Sequence, residues 1–442
     1  MFNMSFRYLL FNSSCYIDAR NAAPLLAFLA LVLQRKPKHI LRKLHICLAG
    51  IFQVVYTFDM RFLESSRNSN VEMIRIVGML FVILHHMISQ GFSFVNTVEP
   101  SMNLVFLQVF NSIGNLGNKL FIIISGYYLC GSKFSVKKVI SVWLELFIYS
   151  LGISLILYVF KIQIYGVTGN GFYFTRLLQK RDFRITELFF SVFPFLTGQN
   201  WFITAYIVFL FFVPFLNVMV NNLGKRELLL LNLLCIFLFN IVQLIPFSDV
   251  YVINNYSSFI QMFFAGAYLK RYSKDFSSDC RKKLLAVGII LPVLYYSLRF
   301  IVFSRQIYYN DVNKYLYQIF FSAFLYDMVF VFSAFMIFAG ILGLQERENR
   351  FINLISSTVL GIYLLHDHNY FRRNIWFDFC HLQEHFNSSN FIAYMLFCCV
   401  LVFLVFFCID LCRKILLEPG CIWISKKVEE ILVNRRLKKF GC

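Results

Sequence analysis

Long apolar runs separated by short polar segments set the pattern of this chain. A membrane-spanning helix needs roughly 20 mostly apolar residues. Stretches of that kind cover Ile74–Phe92, Leu104–Leu129, Val142–Phe160, Trp201–Val220, Leu228–Ile245, Tyr256–Leu269, Leu284–Phe303, Phe321–Leu344, Ile352–His366 and Phe391–Leu411. The sixth and ninth are short, and a few flanking residues complete each. The pattern predicts an all-α, polytopic membrane bundle of about ten transmembrane helices. Composition agrees. Hydrophobic residues make up 59% of the chain and charged ones 15%, against about 25% charged in a soluble domain. The 55 Phe and 24 Tyr suit contact with lipid and with its interface. No internal repeat or low-complexity run stands out.

The net charge of +19 changes the picture only in its placement. Most Lys and Arg fall in the segments between apolar runs, as expected of loops on the cytoplasmic side. With the residues before Ile74 set in the cytoplasm, that side holds Lys133, Lys137, Lys138, Lys225, Arg226, Lys270, Arg271, Lys274, Arg281, Lys282, Lys283, Arg347, Arg350 and the basic residues from Arg413 onward. This is roughly twice what the other side carries, so both ends of the bundle are expected to be cytoplasmic. No basic face with a nucleic-acid-binding fold is present, so nucleic acid is not an expected partner. The segment from Lys161 to Arg184 runs against the charge bias, and it is a candidate external substrate-binding element. The tail, residues 413–442, is basic. Cys421–Phe440 reads either as an amphipathic helix on anionic lipid or as a stop-transfer tail. The 12 Cys are scattered without zinc-like spacing and read as small apolar residues. Cys380 has no evident thiol partner.

Residues 1–59 hold two weak apolar stretches, Ala22–Leu33 and Ile46–Phe58, divided by the charges from Arg35 to Lys43. Met60 is followed by a basic lead into the first strong helix. The expectation is that Met60 is the natural start and residues 1–59 a leader outside the native protein, with residues 60–412 forming the membrane domain. Mass measurement of the protein from its own host should give a chain starting at Met60, and a chain retaining Met1 would contradict this.

Ionisable residues inside apolar runs are costly in lipid and point to function. The first run carries Arg75, His85 and His86. Arg75 and His86 are eleven residues apart, about three helical turns, so they share one face about 16 Å apart along the axis. Arg75 falls near the cytoplasmic headgroups and can hold an anionic, phosphate-bearing donor. His86 falls past mid-membrane and can act as a base. The ninth run ends in GIYLLHDHNYFRRNIW, residues 361–376. There His366, Asp367, His368, Arg372 and Arg373 form a candidate acid–base and anion-binding cluster in the same half of the bilayer as His86. The bland alternatives are an interfacial anchor for Arg75, a helix-to-helix hydrogen bond for His86 and a wet helix end for His366. Lys119 lies in the second run and is expected to snorkel to the external surface, the alternative being a charge facing the bundle. Ser125-Gly126 is expected to mark close helix packing. Trp201 is most simply an interface anchor.

Four motifs in order carry a resemblance: RNSNVEMIRIVGMLFVILHH (67–86), FIIISGYYL (121–129) with KFSVKK (133–138), FLTGQNWFITAYIVFLFFVPFLN (195–217) and GIYLLHDHNYFRRNIW. Together they resemble the membrane-bound acyltransferase 3 family, in which an Arg, ten residues and a His recur in the first helix. Arg75 and His86 match that spacing and His85 does not. The resemblance implies transfer of an acyl group, commonly acetyl, from acyl-CoA to a sugar hydroxyl of a surface polysaccharide or its lipid-linked precursor, in the inner (plasma) membrane. It implies His86 and His366 as catalytic residues. Donor or substrate contacts fall to Arg75, Lys137, Lys138, Tyr363, Asp367, Arg372 and Trp201. Acetyl-CoA enters as a substrate; no bound cofactor or metal is expected, and the partners are acyl-CoA, the glycan acceptor and membrane lipid. One departure is visible. Many members carry Arg-x-x-Arg after the second helix, whereas Lys138 is followed by Ser141 here, and Lys lacks the bidentate fork of Arg. Two rival readings, a flippase of lipid-linked oligosaccharide and a glycan polymerase, share the hydropathy profile. Neither requires the Arg–His spacing.

Overall fold

Alternation of apolar helices and short turns carries through to the computed structural model, which describes residues 67–92, 101–168, 177–197, 199–241, 254–309 and 325–439. The proposed leader, residues 1–59, lies outside the described residues. The helices that follow are Ser69–Gly91 (α1), Met102–Phe110 (α2), Gly114–Leu129 (α3), Val136–Val159 (α4), Ile185–Val192 (α5), Trp201–Asn221 (α6), Lys225–Ile236 (α7), Asn254–Tyr272 (α8), Ser278–Tyr309 (α9), Leu325–Ile341 (α10), Arg350–Ser357 (α11), Val359–His366 (α12) and Phe391–Lys439 (α13). Between α4 and α5, Ile164–Thr168 (β1) and Leu177–Arg181 (β2) pair antiparallel, with Ile164 opposite Arg181. This hairpin occupies the segment expected to be an external element.

The all-α expectation holds, but the count of spans is coarser than expected. Five described helices are long and apolar enough to cross a membrane: Ser69–Gly91, Val136–Val159, Trp201–Asn221, Ser278–Arg305 and Phe391–Leu432. Asp327–Ile341 and Arg350–His366 are apolar but shorter. The expected span Leu104–Leu129 is instead two helices, α2 and α3, divided at Asn111–Ile113. The physical reason lies at the break: the Asn111 carbonyl is taken by His85 Nδ1, and Gly114 packs directly on the His85 side chain. The expected span Ile352–His366 is likewise two helices, broken at Thr358. Leu228–Ile245 stays α-helical only to Ile236 and then turns as a π-helix through Ile241. No separate tail helix exists among the described residues, because α13 continues from the last apolar run through the basic segment to Lys439.

Small residues bring the central helices together. A Cβ on Gly117 of α3 would lie 2.4 Å from the Gly78 carbonyl oxygen of α1. A Cβ on Gly126 would lie 2.7 Å from Phe263 Cα, and one on Gly266 2.5 Å from the Tyr127 nitrogen, so α3 and α8 touch backbone to backbone. In lipid, where apolar burial gives helices no net attraction, such contacts drive association. The Ser125-Gly126 packing expectation is met at Gly126. After α3 the chain reverses at Gly131, whose φ of 76° favours glycine. Asn217 of α6 fastens that turn: its Oδ1 accepts from the Gly131 nitrogen, and its Nδ2 donates to the carbonyls of Leu129 and Ser132.

Lys119 overturns the snorkelling expectation. Only 4% of it is accessible. Its ammonium lies 2.9 Å from Asp327 of α10 and donates to Ser258 of α8 at 2.7 Å. Asn240, in the π turn, donates to the same Asp327 at 2.6 Å, and Gln261 donates to Asn240 at 2.7 Å. A charge with partners this close has no reason to seek water. Lys119→Met should therefore destabilise the protein by about 3 kcal/mol, the lower end for breaking a buried pair because Asp327 is partly exposed and keeps Asn240, and adding Asp327→Leu should restore most of it. Thermal melting of the detergent-solubilised protein checks both.

Candidate active site

On α1, Arg75, Met79 and Val82 recur at helical spacing and line one cavity. His86 is the next residue of the same stripe. Arg75, Met79 and Val82 thus form one wall of the cavity, and His86, one turn further along that face, lies just past its lining. Phe121, Ile122 and Ser125 of α3, Phe202 and Tyr206 of α6, Ser356 before the break at Thr358 and Tyr363 of α12 are also among its lining residues. The cavity measures about 260 Å³, far more than the roughly 10–15 Å³ one water requires. At the Arg75 end, Glu72 holds the guanidinium at 3.2 Å. Glu72 is itself buried and accepts from the Ser356 hydroxyl. The Tyr128 ring lies 5.9 Å from the Arg75 guanidinium carbon.

At the other end Tyr363 reaches the histidines. His86 Nδ1 lies 3.0 Å from His366 Nε2. His366 is fully buried, whereas His86 keeps 13% of its side chain accessible, so the pair is reached through His86. The direction of this bond follows from its neighbours. His366 Nδ1 lies 2.7 Å from the Ile362 carbonyl oxygen, which only accepts, so Nδ1 carries the proton and Nε2 has the lone pair. His86 Nδ1 must then donate to His366. In neutral His86 that leaves Nε2 with a free lone pair, the atom a base or nucleophile needs.

Asp367 supplies charge beside the pair. Its Oδ1 lies 3.9 Å from His86 Nδ1 and 3.1 Å from Arg372 Nη1. The Tyr363 hydroxyl donates to Oδ2 at 3.3 Å. Asn200, at the head of α6, donates to the Asp367 carbonyl at 3.5 Å. The cluster therefore joins His86 of the first helix to Tyr363, His366, Asp367 and Arg372, two stretches far apart in sequence. It does not include every expected residue. His368 points away and donates through Nε2 to the Ser150 carbonyl of α4 at 3.3 Å. Arg373 donates to the Tyr165 carbonyl of β1. Trp201 is 41% exposed and meets Phe202 edge to face, and it is Phe202 that lines the cavity. Lys137 and Lys138 open α4 away from the cavity. The Lys137 backbone N–H donates to Glu429 of α13, and Lys138 borders a much smaller hollow with Lys133 and Ser135.

Sequence reasoning missed Glu72, Ser356 and Asn200. Glu72 was visible three residues before Arg75, the spacing of a same-face pair. Ser356 and Asn200 carried no signal of their own. Above the cluster the hairpin is pinned by Lys180 and Tyr165, both bonded to Asp378 at 2.7 Å. Burial and the Asp378 carboxylate hold the Tyr165 hydroxyl above its usual range.

Comparison with known families agrees with this geometry. An acyltransferase domain model, that of the acyltransferase 3 family, matches residues 68–411. The chain belongs to the acyltransferase 3 family. The match begins at the N-cap of α1 and ends within α13, so it takes in the whole cluster. Membership assigns acyl transfer to a chain built on membrane-spanning helices. No curated protein and no solved structure matches the chain.

The hydrogen-bond directions are testable apart from activity. With ¹⁵N-labelled histidine, solid-state NMR should find neutral His86 and His366 both protonated at Nδ1. An Nε2-protonated His366 would contradict the assignment.

Proposed function

We propose that this protein moves an acyl group, acetyl in the first instance, from acyl-CoA to a hydroxyl of a surface polysaccharide or its lipid-linked precursor at the inner (plasma) membrane. The observation that carries the reading is the cavity with a cation at one end and Tyr363, next to the histidine pair, at the other. A CoA thioester has this polarity: phosphates at one end and a reactive carbonyl at the end of a slender arm. In this reading Arg75 takes a phosphate and the Lys137/Lys138 turn adds positive charge on the cytoplasmic side. The acyl-bearing arm runs along Met79, Val82 and Phe202 toward His86.

Nε2 of His86 is the reacting atom. In direct transfer it takes the proton from the acceptor hydroxyl as the oxygen attacks the thioester carbon. The C–S bond breaks, the C–O bond forms, and the proton returns to the CoA thiolate. In a two-step transfer Nε2 attacks the thioester carbon, the C–S bond breaks and CoA leaves as thiolate. The acceptor oxygen then attacks the acyl carbon on Nε2, the C–N bond breaks, and the hydroxyl proton ends on the CoA thiolate. Both routes build positive charge on His86. His366 Nε2 accepts the Nδ1 proton's hydrogen bond, and Asp367, oriented by Arg372 and Tyr363, stabilises that charge electrostatically. The acceptor approaches from the external half, where the hairpin and the segment after His366 meet.

The test supplies radiolabelled acetyl-CoA and the host's surface glycan or lipid-linked precursor to the purified protein. Label should enter glycan, and His86→Ala, folded like wild type, should lower the rate by about 10²–10⁴-fold. Transfer unaffected by His86→Ala would move the chemistry elsewhere. Absence of both transfer and CoA release would sink the acyltransferase reading. Rapid quenching followed by mass spectrometry separates the routes: acetyl on His86 marks two-step transfer.

A further inference from the structure

We propose that Asp410, fixed by Tyr149 and Arg413, is a positioning residue that sets the approach of His366 to His86. The inference rests on the reading of that pair as the reacting centre. α12 is only eight residues long and is cut from α11 at Thr358. A helix of two turns cannot hold its place by its own length, so its neighbours must place it. On one side it meets α13 at Gly361, where a Cβ would lie 2.0 Å from Asp410 Oδ1. Any larger residue at 361 would drive α12 off α13, and His366 is five residues further along the same short helix.

Asp410 is itself immobilised. It is 0% exposed, and its Oδ1 accepts from the Tyr149 hydroxyl of α4 and from Arg413 Nε, both at 2.6 Å. The rest of the Arg413 guanidinium is held by Glu145 of α4 at 3.1 Å and by Glu418 at 2.7 Å. A carboxylate here thus has its place fixed from two helices, and an ionic group inside an apolar helix is retained at a cost. The residue after Tyr149 adds a second grip, since the Ser150 carbonyl accepts from His368. α4 therefore acts on both sides of His366: through Asp410 at Gly361 below it, and through Ser150 at His368 above it. Neither Tyr149 nor Asp410 lines the cavity, so their effect on chemistry passes through α12.

The experiment uses the full chain in lipid nanodiscs and compares Tyr149→Phe and Gly361→Ala with wild type. A misplacement of about 1 Å can cost about 10²-fold in rate. Gly361→Ala should lower kcat by about that factor and Tyr149→Phe by about tenfold, each with KM for acetyl-CoA within about twofold of wild type. In the same samples the ¹⁵N signal of His366 Nε2 should move toward that of an imidazole nitrogen without a hydrogen-bond donor. Should Gly361→Ala fail to fold, Tyr149→Phe, which removes one hydroxyl, carries the test. Wild-type kcat and an unshifted His366 signal in folded variants would overturn the proposal, as would activity lost only in proportion to the folded fraction. The NMR arm reads the positioning even where no acyl transfer is found, so failure of the acyltransferase reading and failure of this one are distinguished.

Discussion

The hydrogen bond between His86 and His366 joins helices whose partners lie 280 residues apart in sequence. It is a single contact of 3.0 Å, and its direction rests on one backbone carbonyl, that of Ile362. A free loop between α11 and α12 would let that geometry drift. The surrounding structure suppresses the drift by ordinary means: small residues press α1 against α3 and α3 against α8, while charged groups fasten the short helix that carries His366. His86 keeps 13% of its side chain accessible, and Tyr363 beside the pair lines the cavity.

Burial of charge in an apolar bundle organises the remainder. Several ionisable residues of the bundle meet a charged partner: Arg75 with Glu72, Lys119 with Asp327, Asp367 with Arg372, and Arg413 with Asp410, Glu145 and Glu418. Breaking such a pair by removing one member costs far more than the pair contributes. The pairs therefore serve as fixed points. One steadies the Arg75 end of the cavity, one sits beside the histidines, one joins α3 to α10, and one meets α12 at Gly361.

Much of this was legible in the residues. The eleven-residue spacing of Arg75 and His86 gave a shared face because α-helical geometry leaves little choice once a run is apolar. The position of His366 at the end of its apolar run put it in the same half of the bilayer. What sequence could not supply was the division of apolar runs into shorter helices. Hydropathy is blind to the His85–Asn111 contact that separates α2 from α3 and to the break at Thr358. It also assigned Lys119 to water, since the spacing along one helix carries no record of Asp327 on another. Trp201 shows the converse: an aromatic at a helix start is conspicuous in sequence, yet its neighbour Phe202 is the one that faces the cavity. Arg413 read as part of a basic tail because its three carboxylate partners are distributed over two helices.

The cavity and the histidine pair form one account only if the donor lies along the Arg75–Met79–Val82 wall with its reactive carbon at His86. Cryo-electron microscopy of the full chain with a non-hydrolysable thioether analogue of acetyl-CoA tests this most directly. The account predicts density through the cavity, with phosphate at Arg75 and the acyl carbon within reach of His86 Nε2. Analogue bound elsewhere, with this cavity empty and His86 out of reach of the acyl group, would contradict it.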